Sequence, residues 1–394
     1  MPALQIYDPR ERALVTAADT LFGAAAAIAR PFRRRAMPAV VRRILLLRLE
    51  RIGDLLMTLP AIADVRAANP EAEIDLVVGS WNASVARHIE GVSRVETLDA
   101  AWLAREGAGL RMPALLRAAA GWRSRRYDVA INFEPDVRSN LLLAVAGARQ
   151  TVGYRSAGGG ALLDAALDYD PSAHTADNAR RLAAAAFRRP PAEGSPRTLR
   201  VPDEHRHRAA SLLDARRPPF VAVHAAGGRA VKQWDPERFA AVARALVTRR
   251  GATIVLTGTP ADRRWIEPVR LGLPERAVVD LSSHDADLLT VAAVLERCEL
   301  LVTGDTGPMH LAAAVGTPIV AVFGPSDPRR YAPRGPLDRV VRVDLPCAPC
   351  NRIRLPPARC TGRTPDCLAL VAADDVLDAA LGVLDACGAR GPTA

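Results

Sequence analysis

The segment from residue 300 to residue 323 constrains the fold of this chain most strongly. Two apolar runs, 300–302 and 319–323, flank a glycine-rich turn and a stretch that suits a helix. This order predicts a strand, a turn, a helix and a second strand. The first N–H groups of such a helix have no partner within it and can together bind an anion. Because Asp305, Thr306 and His310 stand at the rim of the turn, we predict a site for a phosphorylated ligand.

The composition favours a folded protein with two domains and an anionic partner. A chain of 394 residues is longer than a domain with a single hydrophobic core usually is. A hydrophobic content of 49% excludes a disordered chain. The formal net charge of +10 favours nucleic acid, an acidic membrane or a phosphorylated substrate, although a GC-rich genome accounts for it at least as well. Only 4% of the residues are aromatic and no nucleic-acid motif accompanies the charge, so nucleic acid is disfavoured.

The sequence also predicts a cytoplasmic protein. No apolar run reaches the roughly 18–20 residues of a membrane span, and the first residues lack the basic-then-apolar order of a secretory signal. In that compartment the six cysteines are expected to be thiols or metal ligands and not disulfides.

Residues 1–42 are predicted to form a separate helical and basic extension. An alanine-rich helical stretch, 11–30, runs into the basic segment 30–35, which contains four arginines. Such a helix could lie on the anionic cytoplasmic face of the inner membrane. It could equally pack on the neighbouring domain and leave its basic end in solvent, and both alternatives stay open.

From residue 43 onward, predicted strands alternate with predicted helices. Short apolar runs at 44–47, 74–78 and 129–133 indicate a parallel sheet. A stretch rich in proline and arginine interrupts the pattern between 188 and 219, and further strands are predicted at 220–224, 253–257, 277–281, 300–302 and 318–323. We therefore predict an α/β protein of two doubly wound domains, 43–200 and 219–375, with a linker region over 201–218 and a C-terminal helix and tail over 376–394.

Asp54 follows the first of these strands, after a tight turn that Gly53 permits. An aspartate at this place is a common helix N-cap, worth about 1 kcal/mol. The same place is the carboxyl end of a parallel strand, where open α/β sheets bind their ligands. From these residues alone, the cap is the favoured interpretation.

The first strand of the second half ends in another glycine turn. Gly227 lets the backbone approach a ligand, and Lys232 can supply a point charge to a phosphate. Asp235, followed by proline, predicts a helix start. After the next strand, Asp262 closes the segment 258–262, and from the residues alone it is interpreted as a helix cap in a plain turn.

Four motifs together resemble glycosyltransferase family 9, the ADP-heptose:lipopolysaccharide heptosyltransferases and their relatives. In order they are Arg48-Leu-Glu-Arg-Ile-Gly-Asp54, Lys232-Gln-Trp, Asp305-Thr-Gly-Pro-Met-His310 and Phe323-Gly-Pro-Ser-Asp-Pro328. The resemblance covers roughly residues 43–385, outside the N-terminal extension. It implies a GT-B fold, in which two Rossmann-like domains face a cleft. Residues 43–200 would bind the acceptor, and residues 219–375 would bind the nucleotide sugar.

The resemblance also implies roles for single residues. Asp54 matches the family's catalytic base, which replaces the cap interpretation. Lys232 matches the lysine that neutralises the donor diphosphate, and Asp305 and His310 match a pair beside the phosphates. The N–H groups of Thr306 and Gly307 would bind the diphosphate, and Asp262 falls where the family has an acidic residue near the ribose. The implied reaction is an inverting displacement that needs no metal.

The spacing of four cysteines suggests a tetrathiolate site. Cys347 and Cys350 form one pair, and Cys360 and Cys367 form a second. This arrangement could hold a structural zinc or iron, although the spacing is not a standard zinc-finger spacing. An autotransporter-modifying branch of the family has an iron-bound finger that this segment resembles. The alternative, four reduced thiols in a folded loop, stays open.

We therefore predict an inverting, metal-independent enzyme that moves heptose or a related sugar from an ADP-sugar to lipopolysaccharide core or a related anionic glycolipid or glycan. One alternative is a protein heptosyltransferase of the autotransporter type with a metal bound to cysteines. Another is a nucleotide-binding GT-B relative without catalysis. The joint presence of Asp54, Lys232, Asp305 and His310 favours the enzyme.

Overall fold

The computed structural model describes residue 6 and residues 8–33, 38–104, 109–194, 198–284 and 286–389, without the side chains of residues 11 and 25–33. These residues form two compact units, Met1–Arg200 and Val201–Ala394. The roles of acceptor domain and donor domain stay predictions.

The first unit contains a parallel sheet of six strands within its described residues. In space the strands follow the order β3-β2-β1-β4-β5-β6. The order reverses between the neighbours β1 and β4, and such a switch point is where doubly wound sheets bind ligands, outside the carboxyl ends of the strands. The strands are β1 (Arg43–Arg48), β2 (Glu73–Val78), β3 (Arg94–Thr97), β4 (Val129–Asn132), β5 (Gln150–Tyr154) and β6 (Ala165–Leu167).

The central strands form because their apolar side chains are covered on both faces. Ile44, Leu45, Leu46 and Leu47 of β1 are fully buried in succession, as in other parallel sheets between helical layers. The α-helices of this unit are α1 (Pro9–Arg33), α2 (Ile52–Ala68), α3 (Ala83–Ala86), α4 (Met112–Gly121), α5 (Val137–Val145) and α6 (Thr175–Phe187), with short 3-10 helices at Ser80–Asn82, Trp122–Arg125 and Gly160–Leu162.

The second unit repeats this topology. Its strands follow the order β12-β11-β10-β7-β8-β9, so β7 and β10 meet at its switch point. They are β7 (Phe220–His224), β8 (Thr253–Leu256), β9 (Val278–Asp280), β10 (Leu300–Gly304), β11 (Ile319–Val322) and β12 (Arg339–Val341). The helices are α7 (Asp203–Leu213), α8 (Pro236–Arg250), α9 (Arg263–Leu271), α10 (Leu288–Glu296), α11 (Gly307–Val315), α12 (Pro328–Tyr331), α13 (Asp366–Ala369) and α14 (Ala373–Gly388), with 3-10 helices at Ala230–Lys232, Pro260–Asp262, Glu275–Ala277, Leu281–Ser283 and Ala358–Cys360.

The predicted parallel α/β architecture is thus confirmed in both units. All eight predicted strands are present, with ends shifted by at most two residues. Four strands were not predicted. Of these, β3, β6 and β12 contain no fully buried residue and so lack an apolar run, while β5 includes Gln150, Thr151 and Gly153.

Helix α1 packs on the first unit through one side. Val15 is buried, and the Asp19 carboxylate accepts a hydrogen bond of 2.5 Å from the Gly159 N–H. A Cβ at Gly158, where φ is +92°, would lie 2.4 Å from a Val15 methyl, so this close approach requires glycine. The other side exposes Leu14 and Leu21.

The basic segment 30–35 of the predicted extension lies outside the side chains that the structure describes. Among the helices that it does describe, none has both the length and the apolar content needed to span a bilayer.

Candidate active site

Asp54 lies in the first turn of α2, immediately after β1. The helix begins at Ile52 with Arg51 as its N-cap residue, so the interpretation of Asp54 as the cap is wrong. An Asp54 carboxylate oxygen lies 3.5 Å from Nη2 of Arg48, the last residue of β1. The Asp54 side chain remains partly exposed, so it can contact a ligand at the switch point of this sheet.

Arg48 is a buried cation among carboxylates. Its Nη1 donates to the Phe133 carbonyl oxygen at 2.6 Å and lies 2.9 Å from a Glu50 carboxylate oxygen. Burial disfavours the charged guanidinium, but Glu50, Asp54 and Glu134 outweigh burial and raise the pKa of Arg48 above its ordinary value. Arg48 therefore carries its charge at any pH at which the fold exists.

Glu134, which the sequence analysis missed, holds the turn that carries Asp54. One carboxylate oxygen of Glu134 accepts the N–H groups of Leu49 and Glu50, and the other accepts the Ser139 hydroxyl. Burial raises the pKa of Glu134, against the opposing effect of Arg48. A single glutamate one residue after the predicted strand 129–133 is the only sequence signal for this contact.

The predicted anion site in the second unit begins α11 at the end of β10. Thr306 is the N-cap residue and Gly307 the first helical residue. The Thr306 hydroxyl lies 3.1 Å from the Thr303 hydroxyl, and within the described chain it caps no N–H of α11. The positive end of this helix is therefore not capped by Thr306 and can bind an anion. Asp305 and His310 are both buried beside it.

Lys232 and Asp305 form an ion pair. The Lys232 Nζ lies 2.7 Å from an Asp305 carboxylate oxygen. Lys232 belongs to the 3-10 helix that follows β7, and Asp305 follows β10. Because β7 and β10 are adjacent, their carboxyl ends bring these residues together. Lys232 is also the only lysine in a sequence with 53 basic residues.

Gly227 lies against Gln233. A Cβ at Gly227 would stand 2.9 Å from Oε1 of Gln233, so any larger residue there would displace the amide. That oxygen is buried and has no hydrogen-bond partner among the described residues, whereas the amide nitrogen donates to the carbonyl oxygens of Ala225 and Trp234.

Asp262 closes a capping box with Thr259. A carboxylate oxygen of Asp262 accepts from the Thr259 N–H at 2.9 Å and from its hydroxyl at 2.8 Å. Nearby, burial lowers the pKa of His224, and the Asp262 charge opposes this effect only in part. His224 is thus neutral at pH 7. The role of Asp262 near a ribose stays a prediction.

The four cysteines predicted as metal ligands line one cavity, together with Val231 and Pro325. None of the six cysteines, all of which lie in the described part of the chain, forms a disulfide. Burial raises the pKa of Cys367 to about 11, with further contributions from Cys350, Cys360 and Cys347. Within the described ranges, no group of three or more His, Cys, Asp or Glu side chains has the arrangement of a metal site.

The central part of the chain matches a known family by sequence. Residues 116–356 match the model of glycosyltransferase family 9 (heptosyltransferase). The chain belongs to glycosyltransferase family 9. This confirms the predicted family and identifies the chain as a glycosyltransferase.

A curated family 9 relative, lipopolysaccharide heptosyltransferase 1 of Pseudomonas aeruginosa, is 26% identical over 320 residues, which cover 78% of this chain and 86% of that protein. Among solved structures, a family 9 glycosyltransferase from Veillonella parvula has a TM-score of 0.75 at 23% identity, covering 89% of this chain and 100% of that one. The ADP-heptose lipopolysaccharide heptosyltransferase II of Escherichia coli has a TM-score of 0.70 at 20% identity, covering 87% and 99%. These similarities confirm the predicted GT-B fold class.

Proposed function

We propose that this family 9 enzyme transfers a heptose from ADP-heptose to the core of lipopolysaccharide, with inversion and without a catalytic metal. The observation that carries the proposal is the ion pair of Lys232 with Asp305 at the N-terminus of α11. A lysine beside a helix N-terminus gives fixed positive charge where a diphosphate leaving group gains negative charge.

In the proposed reaction Asp54 removes the proton of the acceptor hydroxyl. The hydroxyl oxygen forms a bond to the anomeric carbon while the bond from that carbon to the diphosphate oxygen breaks. ADP leaves with the electron pair from the opposite face, so the anomeric centre inverts. The proton resides on Asp54 until solvent accepts it. Lys232 and the N–H groups that begin α11 stabilise the departing diphosphate.

Two observations support lipopolysaccharide core as the acceptor: the names of the relatives and the net charge of the chain. Two of the compared proteins are named for action on lipopolysaccharide, and one of these names also specifies ADP-heptose. A net charge of +10 suits an acceptor that is itself an anionic glycolipid. Such a reaction would take place on the cytoplasmic side of the inner membrane.

The experiment supplies the purified chain with ADP-heptose and lipopolysaccharide core lacking heptose, and measures ADP release together with the mass of the glycan. We expect one heptose to be added, and ADP to bind more tightly than UDP or GDP in calorimetry. Tight ADP binding without transfer to any acceptor would instead support the nucleotide-binding relative without catalysis.

We also propose a structural zinc or iron at the four cysteines. Burial and mutual repulsion make thiolates unfavourable around this cavity, as the raised pKa of Cys367 indicates, and a cation would remove that cost. Elemental analysis of chain purified without added metal should give one zinc or iron per chain. No metal would favour four reduced thiols, and iron with transfer to a protein acceptor would favour the autotransporter-type enzyme.

Finally, we propose that α1 contacts the anionic inner membrane. Leu14 and Leu21, two turns apart, are both more than two-thirds exposed, and the four arginines of the segment 30–35 follow in the sequence. The chain should sediment with vesicles that contain phosphatidylglycerol, and the double variant L14S/L21S should not. Equal sedimentation of both proteins would contradict this contact.

A further inference from the structure

Two carboxylates share the guanidinium of Arg48. Glu50 lies 2.9 Å from Nη1 and Asp54 lies 3.5 Å from Nη2. We propose that Arg48 and Glu50 are positioning residues for Asp54, and that their shared ion pair sets both the direction and the basicity of this carboxylate. The role of Asp54 as base rests on the proposed function, but the shared ion pair does not.

Burial and a hydrogen bond to the backbone hold the side chain of Arg48 in place. Only 4% of its side chain is exposed, and Nη1 donates to the Phe133 carbonyl oxygen at 2.6 Å. The Nε of Arg48 has no hydrogen-bond partner in the part of the chain that the structure describes. The two carboxylates that form ion pairs with Arg48, Glu50 and Asp54, therefore both contact the terminal nitrogens of the guanidinium.

The backbone that carries the two carboxylates is held as well. Glu134 accepts the N–H groups of Leu49 and Glu50, while the carbonyl oxygen of Glu50 accepts the Trp81 ring N–H at 2.9 Å and the Asn82 amide at 2.8 Å. Each polar backbone group of Glu50 thus has a partner. The side chain of Glu50 extends from this held backbone to Arg48.

Because Arg48 pairs with Glu50 as well, its effect on the basicity of Asp54 is smaller than in a simple ion pair. An arginine that paired with Asp54 alone would hold it as a carboxylate and weaken it as a base. Glu50 has the shorter contact and the larger electrostatic effect on Arg48, so it competes with Asp54 for the charge of the arginine. Besides Asp54, the charged and titratable groups around this arginine are Glu50 from its own segment, Glu134 after β4 and Tyr154 on β5.

The experiment compares Glu50→Gln and Arg48→Gln. In Glu50→Gln, Arg48 is free to pair with Asp54, so we expect Asp54 to titrate at lower pH. In Arg48→Gln the positive charge is lost, so we expect Asp54 to titrate at higher pH. Shifts of about 1 pH unit are expected, the lower end of the range for a carboxylate beside an arginine, because the Asp54 side chain is partly exposed. The titration is followed by carboxyl ¹³C NMR, with the Asp54 signal assigned by its loss in Asp54→Asn.

The matched control is Glu71→Gln. Glu71 is an exposed glutamate just before β2, at the amino ends of the strands, whereas Asp54 lies at their carboxyl ends. It should leave the Asp54 titration unchanged. A merely structural role of Arg48 and Glu50 would lower the yield of folded protein without moving the titration in opposite directions. If Glu50→Gln folds and leaves the titration of Asp54 in place, the proposal is wrong, whether or not Arg48→Gln folds.

Transfer kinetics separate this proposal from the proposed function. If both hold, the acid limb of kcat/KM moves as the NMR titration does, and kcat falls several-fold in Glu50→Gln while KM for ADP-heptose stays unchanged. Opposite NMR shifts without any transfer by the unmodified chain would contradict the proposed function alone. Transfer that depends on Asp54, with no NMR shift in either variant, would contradict the shared ion pair alone.

Discussion

Asparagine in place of Asp54 is expected to reduce kcat for heptose transfer by roughly 10²–10⁴-fold, the usual contribution of a general base. The amide keeps the size of the side chain and its contact with Arg48 at 3.5 Å, but it cannot take up the proton of the acceptor hydroxyl. KM for ADP-heptose should remain within a factor of two, because the residues proposed to bind the donor belong to the other unit. Steady-state kinetics with purified acceptor measure both constants.

The matched control for this variant is Asp374→Asn. Asp374 also lies in the first turn of a helix, α14, and is exposed. Its replacement should leave kcat unchanged, which separates the loss of a base from the general effect of removing a first-turn charge. If Asp54→Asn transferred heptose at the rate of the unmodified chain, Asp54 would not be the base.

Methionine in place of Lys232 is expected to lower kcat/KM for ADP-heptose by roughly 10²–10³-fold, the effect of removing one fixed group that stabilises a developing anion. The variant loses the positive charge proposed to face the diphosphate and also leaves the buried Asp305 without its ion-pair partner at 2.7 Å. ADP binding by calorimetry should weaken in parallel. Arginine at this position should restore activity only in part, because its planar group cannot replace a compact ammonium.

Because Lys232 is the only lysine in the sequence, the same role can be tested without mutation. An amine-selective acetylating reagent can modify only this side chain and the terminal α-amino group. We expect inactivation to follow acetylation of Lys232, and ADP to slow it. Arg249→Met, at the exposed end of α8, is the control for loss of a positive charge and should keep full activity. Rapid acetylation with full activity would exclude Lys232 from catalysis.

Much of the fold could be predicted because the central strands are continuous apolar runs. Ile44–Leu47 and Phe220–His224 are short apolar runs of the kind found in strands that are covered on both faces. The outer strands β3, β6 and β12 could not be predicted in this way, because their residues are exposed or half-buried and only pairing with a neighbour makes them strands.

The candidate site could be predicted where its residues follow strands in recognisable motifs, as Lys232 and Asp305 do. Their ion pair is an outcome of strand order, since residues 73 positions apart meet only because β7 and β10 are neighbours. Glu134 could not be predicted, because its function is to hold the backbone of a segment more than 80 residues earlier. The contact of Asp54 with Arg48 likewise could not be predicted, because the local sequence pattern does not show that these side chains meet.

The identical strand order of the two units has a consequence for how specificity can change. In each unit, the polar residues of interest follow the first and fourth strands of its own sheet: Asp54 and Glu134 in one, Lys232 and Asp305 in the other. Neither pair depends on the other unit for its strand neighbours. Under the proposed roles, mutations before Val201 can therefore alter the acceptor, and mutations after Arg200 the donor, as two heritable traits that selection can act on independently.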